Sequence, residues 1–187
     1  MSGFLTSLRP NVLVQPLWYR KLPTILGKKA ILLDTNAVSA RYFRKSEDPE
    51  LSYIFESPEI RPQIPKQVIY ELLCSDKMNG RSRATIFQEL AKLQGRDKIF
   101  LSGFSQMTRQ QFDNYTAVWT SLNKCSVSQE DSRVFADGIV KGVPIFTFDI
   151  RSQQGLAKAF KNKDVRKLME KHGYNPDVEE IIANLKI

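Results

Sequence analysis

Short apolar runs alternate with longer stretches of helical periodicity along this chain. Ala30 to Leu33, Lys98 to Ser102 and Val143 to Phe146 have the length and composition of buried strands. Ile60 to Ile64 is a further strand candidate, weakened by Pro62, which has no N–H to donate to a sheet. Strands that alternate with helices in this way predict an α/β fold: a three-layer α/β/α domain with a short central parallel sheet.

Capping residues and apolar periodicity place the helices. Asp34, Thr35 and Asn36 can each cap a helix, and Pro65 suits the first turn of another. The predicted helices run from about Thr35 to Arg44, Pro49 to Glu56, Lys66 to Asp76, Arg81 to Leu93 and Thr108 to Asn123, from Asp131 to a turn at Gly142, and across Gln153 to Phe160, Asp164 to Lys171 and Pro176 to Leu185.

This pattern divides the chain into three regions. Residues 1–29 form a basic, aromatic arm that three prolines break into short pieces. The arm is too apolar for a disordered tail, so it is expected to pack on the domain or on a partner. Residues 30–160 are expected to form the α/β domain, and residues 161–187 a helical tail packed on it.

The composition of the 187 residues excludes several classes of protein. No apolar run approaches the ~18 residues of a membrane span, and the N-terminus lacks a signal-peptide pattern, so a cytoplasmic protein is expected. Cys74 and Cys125 lack the spacing of zinc or redox motifs and are expected to be reduced, half-buried thiols. A mechanism that needs two histidines is excluded because His172, expected to be exposed, is the only one.

The formal net charge of +8 makes polyanions the natural partners, because lysine and arginine bound to phosphates release counterions. The charge is also unevenly distributed. No acidic residue precedes Asp34, whereas the basic residues before it include Arg9, Arg20, Lys21, Lys28 and Lys29. Taken alone, a solubilising surface explains this charge as well as nucleic-acid binding does.

Four acidic residues lie where the chain passes between an apolar run and a polar or helical one: Asp34, Glu71, Asp131 and Asp149. Sites form at the carboxyl ends of strands in open α/β sheets, and Asp34 and Asp149 both follow strands. Close carboxylates would repel by ~4 kcal/mol per pair at an effective dielectric of ~20 unless a cation lay between them. All-oxygen ligands favour Mg²⁺ or Mn²⁺. Each acid also has a structural interpretation as a cap, a turn residue or a solvated helix residue.

The segment AILLDTN, from Ala30 to Asn36, is similar to the first strand and acidic turn of PIN-domain ribonucleases, and Glu71 in PKQVIYELL resembles their second acidic position. Their last motif has an aspartate that opens a helix and a Thr-x-Asp that ends the next strand. It is matched by Asp131, Ala136, Gly142, Thr147 and Asp149. The resemblance covers about Ala30 to Arg151. It implies a PIN-like domain that cleaves RNA phosphodiester bonds.

Within this interpretation the four acids are the catalytic, metal-binding residues for Mg²⁺ or Mn²⁺, with Asp34 as the ligand that two metals would share. A metal-activated water would attack the phosphodiester in line. Residues expected to orient the carboxylates or waters are Thr35, Asn36 and Thr147. Asp137 is expected at the surface or as a secondary ligand. Arg133 and Arg151 are expected to contact phosphate or to form surface salt bridges.

Small stand-alone PIN-like proteins resemble the toxins of toxin–antitoxin pairs. The resemblance therefore implies an RNA substrate and a protein inhibitor, either an antitoxin or an immunity protein, and it is compatible with a homodimer. A haloacid-dehalogenase-like phosphatase fits poorly, because position 36 is Asn36 where that class needs a second aspartate. A non-catalytic nucleic-acid-binding module would explain the charge and the aromatic arm, but it leaves the carboxylates without a purpose.

Overall fold

The computed structural model describes residues 14–42, 44, 46–74, 80–96, 98–102, 107–125 and 127–186. It confirms the predicted α/β fold, with helices and a central, mostly parallel sheet. The strands are β1 (Thr24–Ile25), β2 (Lys28–Leu33), β3 (Ile60–Pro65), β4 (Phe100–Ser102) and β5 (Ile145–Phe146). A 3-10 helix (Leu17–Lys21) precedes them. The α-helices are α1 (Thr35–Tyr42), α2 (Pro49–Glu56), α3 (Lys66–Cys74), α4 (Gly80–Gly95), α5 (Arg109–Asn123), α6 (Gln129–Lys141), α7 (Ile150–Phe160), α8 (Lys163–Lys171) and α9 (Val178–Ile181).

The strand β2 is central to the sheet. It pairs in parallel with β3, and β3 pairs in parallel with β4. At its far end, Leu32 and Leu33 of β2 stand opposite Ile145 and Phe146 of β5, again in parallel. Among the strands of the described residues, β1 alone is antiparallel, and it pairs with the beginning of β2. The carboxyl ends of β2, β3, β4 and β5 therefore point to the same side of the sheet, which we term the carboxyl edge.

One hydrophobic core holds the helices on the sheet. The run Ala30 to Leu33 is buried throughout, as expected for a parallel strand covered on both faces. The largest fully buried side chains are Ile31, Leu32, Leu33, Leu51, Ile54, Ile64, Ile99, Leu122, Phe135, Ile145, Phe146 and Leu156. They come from both halves of the described chain, so the two halves are stabilised together.

The described part of the N-terminal region belongs to this core. Trp18 is 6 % exposed, and its ring centroid lies 6.0 Å from that of Phe146 and 6.4 Å from that of Tyr53. The indole nitrogen Nε1 donates to Glu50 Oε1 over 3.2 Å. Leu22 is also buried. Residues 17–25 thus pack on the domain through an aromatic cluster and through β1.

Two features at the ends of the domain differ from the sequence prediction. The helix expected to continue to Leu185 ends at Ile181, because Ile182 instead forms a parallel bridge with Ile145 and the Ala183 N–H donates to the Ile145 carbonyl over 2.9 Å. The backbone pairing with β5 outweighs the helical pattern there. The hairpin of β1 and β2 was not predicted, since β1 has two residues and its turn uses positive φ angles at Leu26 and Gly27. The predicted end of α3 at Asp76 lies outside the described residues.

Two side chains, those of Cys74 and His172, also differ in environment from what the sequence suggested. Cys74 is exposed rather than half-buried, while Cys125 is half-buried, and both are free thiols. His172 was expected to be exposed, but it is half-buried, and its Nδ1 lies 2.7 Å from Asn114 Oδ1.

Among the helices in the described part of the chain, none combines the length and apolarity that a membrane span needs.

Gly138 allows α6 to lie directly against β5. A Cβ atom at this position would lie 2.7 Å from Ile145 Cδ1 and 2.9 Å from the Val143 carbonyl oxygen. Both distances are shorter than van der Waals contact allows. Four residues later Gly142, with φ +63°, ends α6 in a left-handed conformation and turns the chain towards β5. This close approach sets the distance between the start of α6 and the residues that follow β5.

We predict that Gly138→Ala lowers the free energy of unfolding by about 1–3 kcal/mol, because a methyl group has no space between α6 and β5. Urea unfolding measures the change. Gly95→Ala in α4 is the matched control, since a Cβ there meets no atom within 4 Å, and it should leave stability equal or slightly higher. Wild-type stability in Gly138→Ala would contradict the close packing.

Candidate functional site

Asp34 follows β2 at the carboxyl edge, and its carboxylate is buried, with 7 % of the residue exposed. Oδ1 accepts a hydrogen bond from the Thr35 N–H over 2.7 Å. Oδ2 accepts from Asn36 Nδ2 and from the Thr147 hydroxyl, each over 2.8 Å. Among the described residues no lysine or arginine forms an ion pair with it. Neutral donors alone therefore stabilise the charged form of Asp34.

Thr147 joins the ends of β2 and β5. Its hydroxyl donates to Asp34 and accepts from Asn36 Nδ2 and from the Asp149 N–H, both over 3.1 Å. Asn36 Oδ1 in turn accepts from the Phe148 N–H over 2.8 Å. Because a hydroxyl has a single proton to donate, these acceptors and donors fix its orientation. The structure thus places the predicted orienting residues Thr35, Asn36 and Thr147 around the Asp34 carboxylate.

Two residues that the sequence analysis did not identify hold the backbone of Thr147. Asn184 Oδ1 accepts from the Thr147 N–H over 3.1 Å, and its Nδ2 donates to the Thr147 carbonyl over 3.0 Å. Gln153 Nε2 donates to the same carbonyl over 3.0 Å. Asn184 and Gln153 are both buried. Their amides therefore supply the pairing that a neighbouring strand would supply in a longer sheet.

Glu71 reaches the site from α3. Its Oε2 accepts from the Thr35 hydroxyl, and its Oε1 accepts from Gln67 Nε2 over 3.0 Å. Gln67 Oε1 accepts from Arg133 Nη1 over 3.1 Å. The sequence analysis did not identify Gln67, although its position four residues before Glu71 puts both side chains on one face of α3.

Ser152 donates hydrogen bonds to both Asp131 and Asp149, so the two carboxylates lie near each other. Asp131 is in the first turn of α6, and its Oδ2 accepts from the Ser152 hydroxyl over 2.8 Å. Asp149 is the N-cap of α7, where its Oδ1 accepts from the Arg151 and Ser152 N–H groups over 2.8 and 3.2 Å. Asp149 thus caps a helix, where the sequence alone suggested the start of a turn as its structural role. Its Oδ2 accepts no hydrogen bond from the described residues, and neither does Asp131 Oδ1.

Burial and neighbouring carboxylates raise the pKa of Asp34 from its usual 3.8 to about 7. Desolvation is the largest cause. The Thr147 hydrogen bond lowers the pKa, the charge of Asp131 raises it, the Thr35 N–H lowers it, and the charge of Glu71 raises it. Asp131 and Glu71 therefore lie close enough to repel Asp34. Asp149 is not among the groups that shift the pKa of Asp34.

The donor chemistry fits a hard divalent cation. Asp34, Glu71 and Asp131 offer only carboxylate oxygens, and the negative charge buried at Asp34 has no basic partner among the described residues. Among the residues that the structure describes, no three acidic, histidine or cysteine side chains lie close enough together to hold a metal ion. Ligation would require the carboxylates to turn towards one another, which their mutual repulsion opposes when no cation is present. The metal-binding role of the four acids stays a prediction.

The remaining predicted residues lie at the periphery or in the core. The expectation of a surface position for Asp137 is wrong, because it is buried and forms an ion pair with Lys141 Nζ over 2.7 Å. It lies about 9 Å along α6 from Asp131. Arg133 is half-buried, with its guanidinium 4.9 Å from the centroid of the Trp119 ring. Arg151 is exposed in the first turn of α7.

A surface cleft of about 670 Å³ lies away from the carboxylates. It is lined by Pro144, which directly precedes β5, and by Lys21 and Asp177 among others. Pro144 is at the amino end of β5, so this cleft opens at the opposite side of the sheet from the carboxyl edge. We place the functional site by its chemistry rather than by concavity, because none of the four acids lines this cleft.

We predict that the metal-free protein loses stability as the pH rises from about 4 to about 7. Asp34 ionises at about 3.8 when unfolded and at about 7 when folded. The folded state therefore binds more protons across this window. Asp34→Asn should lack this contribution to the pH dependence of stability. The difference in free energy of unfolding between variant and wild type should therefore change by a few kcal/mol between a pH of about 4 and a pH of about 7. Urea unfolding in EDTA at several pH values measures it. Parallel curves for the two proteins would contradict the raised pKa.

Comparison with known proteins shows a likeness to solved structures. No family model and no curated protein sequence matches the chain. Among solved structures it is similar to a chain in the crystal structure of VapBC2 from Rickettsia felis bound to a DNA fragment from their promoter. That match has 13 % sequence identity and a TM-score of 0.49, and it covers 67 % of this chain and 92 % of the other. At this TM-score the likeness implies nothing about function. The function is inferred from the residues of the carboxyl edge.

Proposed function

We propose that this protein is a metal-dependent endoribonuclease with its active site at the carboxyl edge. The observation that carries the proposal is the buried carboxylate of Asp34, which has two further carboxylates beside it and no basic partner among the described residues. A buried charge without a partner costs several kcal/mol, and a purely structural position gains nothing from it. A cation bound at this edge would offset the cost.

Asp34, Glu71 and Asp131 would hold Mg²⁺ or Mn²⁺, and Asp149 would contribute through its free Oδ2, directly or through a water. When bound, the cation supplies Lewis-acid activation of water and neutralises charge on the phosphate. The protein side chains orient the carboxylates: Thr147 and Asn36 hold Asp34, Thr35 holds Glu71, and Ser152 holds Asp131. Each carboxylate keeps oxygen lone pairs that these donors do not use.

RNA is the proposed substrate. The proposal is supported by the resemblance of three segments to PIN-domain ribonucleases: those around Asp34 and Glu71, and the one that runs from Asp131 to Asp149. The net charge of +8 also supports it, because a positive charge attracts polyanions. From the same resemblance we propose a cytoplasmic toxin that is neutralised by an antitoxin or immunity protein, with a homodimer as a compatible assembly. Such an inhibitor would present a basic side chain to the carboxylates.

Asp131→Asn should reduce Mn²⁺-dependent cleavage of a mixed RNA substrate by more than about 100-fold, because it removes a proposed ligand. The Ser152 hydroxyl can still donate to the asparagine oxygen, so the metal-free protein should be as stable as wild type or more so. Cleavage kinetics and thermal unfolding with and without Mn²⁺ measure both effects. An Asp131→Asn protein that still cleaves and still gains stability from Mn²⁺ would remove Asp131 from the site.

Two variants serve as controls for this experiment. Asp113→Asn changes an exposed aspartate of α5 and should alter neither readout. Asp149→Asn keeps a good N-cap for α7, since asparagine caps as well as aspartate does. Loss of cleavage at unchanged stability in Asp149→Asn would therefore assign Asp149 a role beyond capping. RNA binding without metal-dependent cleavage in the wild-type protein would favour the non-catalytic binding module instead.

Expression of the wild-type chain should arrest the growth of a bacterial host, whereas Asp34→Asn expressed to the same level should not, because only the former cleaves RNA. Growth curves after induction measure the difference, with Asp113→Asn as the variant that should remain toxic. Equal growth with all three proteins, each shown to be folded and present, would contradict the proposed toxin role.

A further inference from the structure

We infer that Gln67 is a positioning residue for Glu71, and that Arg133 fixes the direction in which the Gln67 amide points. This inference rests on the proposed function, because it assigns Gln67 and Arg133 to the support of one proposed metal ligand. The three side chains come from α3 and α6 and form a continuous series of hydrogen bonds. We refer to Arg133, Gln67 and Glu71 as the relay.

The chemistry of arginine makes the relay directional. A guanidinium can only donate hydrogen bonds, so the Gln67 atom that faces Arg133 Nη1 at 3.1 Å must be the amide oxygen. The amide nitrogen then necessarily faces Glu71 Oε1, at 3.0 Å. Without Arg133, the two ends of the Gln67 amide could exchange places, and an oxygen facing Glu71 would repel it.

Arg133 is itself held in place. Its guanidinium lies over the Trp119 ring of α5, 4.9 Å from the ring centroid, in the arrangement of a cation–π contact. Glu71 is held on its other side by the Thr35 hydroxyl, which donates to Oε2. Each oxygen of the Glu71 carboxylate thus has one fixed donor. The plane of the carboxylate is set by helices α1, α3, α5 and α6 together.

Because Gln67 lies between Arg133 and Glu71, the guanidinium does not pair directly with the Glu71 carboxylate and does not neutralise it. Arg133 and Glu71 form no ion pair with each other within the described part of the chain. A direct arginine–carboxylate pair would be bidentate and would occupy both oxygens. The relay instead uses one weak donor on Oε1, which leaves lone pairs on both oxygens for a cation.

The test compares Gln67→Met, which has similar volume and no amide, with Gln88→Met, an exposed glutamine of α4. Gln67→Met should weaken Mn²⁺ binding, measured by calorimetry, by about 10-fold. It should lower kcat for RNA cleavage with KM unchanged, because the inferred role of Gln67 acts through Glu71 and not through binding of RNA. Gln88→Met should change neither. Arg133→Met should show a smaller loss than Gln67→Met, and Arg133→Lys, which keeps a donor, should recover part of it.

A second measurement separates the relay from the proposed function. In EDTA, the losses in urea midpoint caused by Gln67→Met and Glu71→Met should be less than additive in the double variant, since each change alone removes the hydrogen bond between the two side chains. Wild-type Mn²⁺ affinity in Gln67→Met, or additive midpoint losses, would overturn the relay. Absence of Mn²⁺ binding in the wild-type protein would overturn the metal site, while the midpoints would still decide whether Gln67 holds Glu71.

Discussion

The hydrogen bond from the Thr147 hydroxyl to the Asp34 carboxylate is the contact on which the carboxyl edge depends. It joins the ends of β2 and β5, two strands whose parallel pairing extends over only two residue pairs. So short a ladder gives little stability by itself. Thr147 is fully buried and is held by the amides of Asn184 and Gln153, so the bond to Asp34 is formed by a fixed donor. Fixed neutral dipoles of this kind stabilise a buried charge without neutralising it.

Much of this arrangement could be predicted from local sequence. Apolar runs identified β2 and β3, and the spacing from Asp131 to Gly142 identified α6, because caps and strand patterns act over a few residues. Asp34 and Asp149 could be placed at one edge because both follow strands. At ~100° per residue, helical periodicity alone places Glu71 away from the centre of the apolar face of α3, so its side chain is free to face the site.

Other features could not be predicted because their causes are distant in sequence. Asn184 pairs with a backbone 37 residues away, and nothing in its own surroundings marks it, so a helix was predicted there instead. Gln67 acquires its role only because Arg133, 66 residues away, faces it. Asp137 is buried because core residues from other elements cover α6, and its ion pair with Lys141 offsets part of the cost of that burial. In each case tertiary contacts outweigh local pattern.

The division of the site between two parts of the chain makes it dependent on their docking. Asp34 and Glu71 precede the connection between α5 and α6, whereas Asp131, Thr147 and Asp149 follow it. A protein divided at this connection would yield two pieces, and neither would hold more than two of the four acids. Among the described residues of the second piece, the two-residue strand β5 pairs on one side with the single Ile182 bridge, and its other side has no partner until β2 accepts it. The carboxyl edge is therefore suited to fragment complementation, in which reassembly of the fold and recovery of the site are one event.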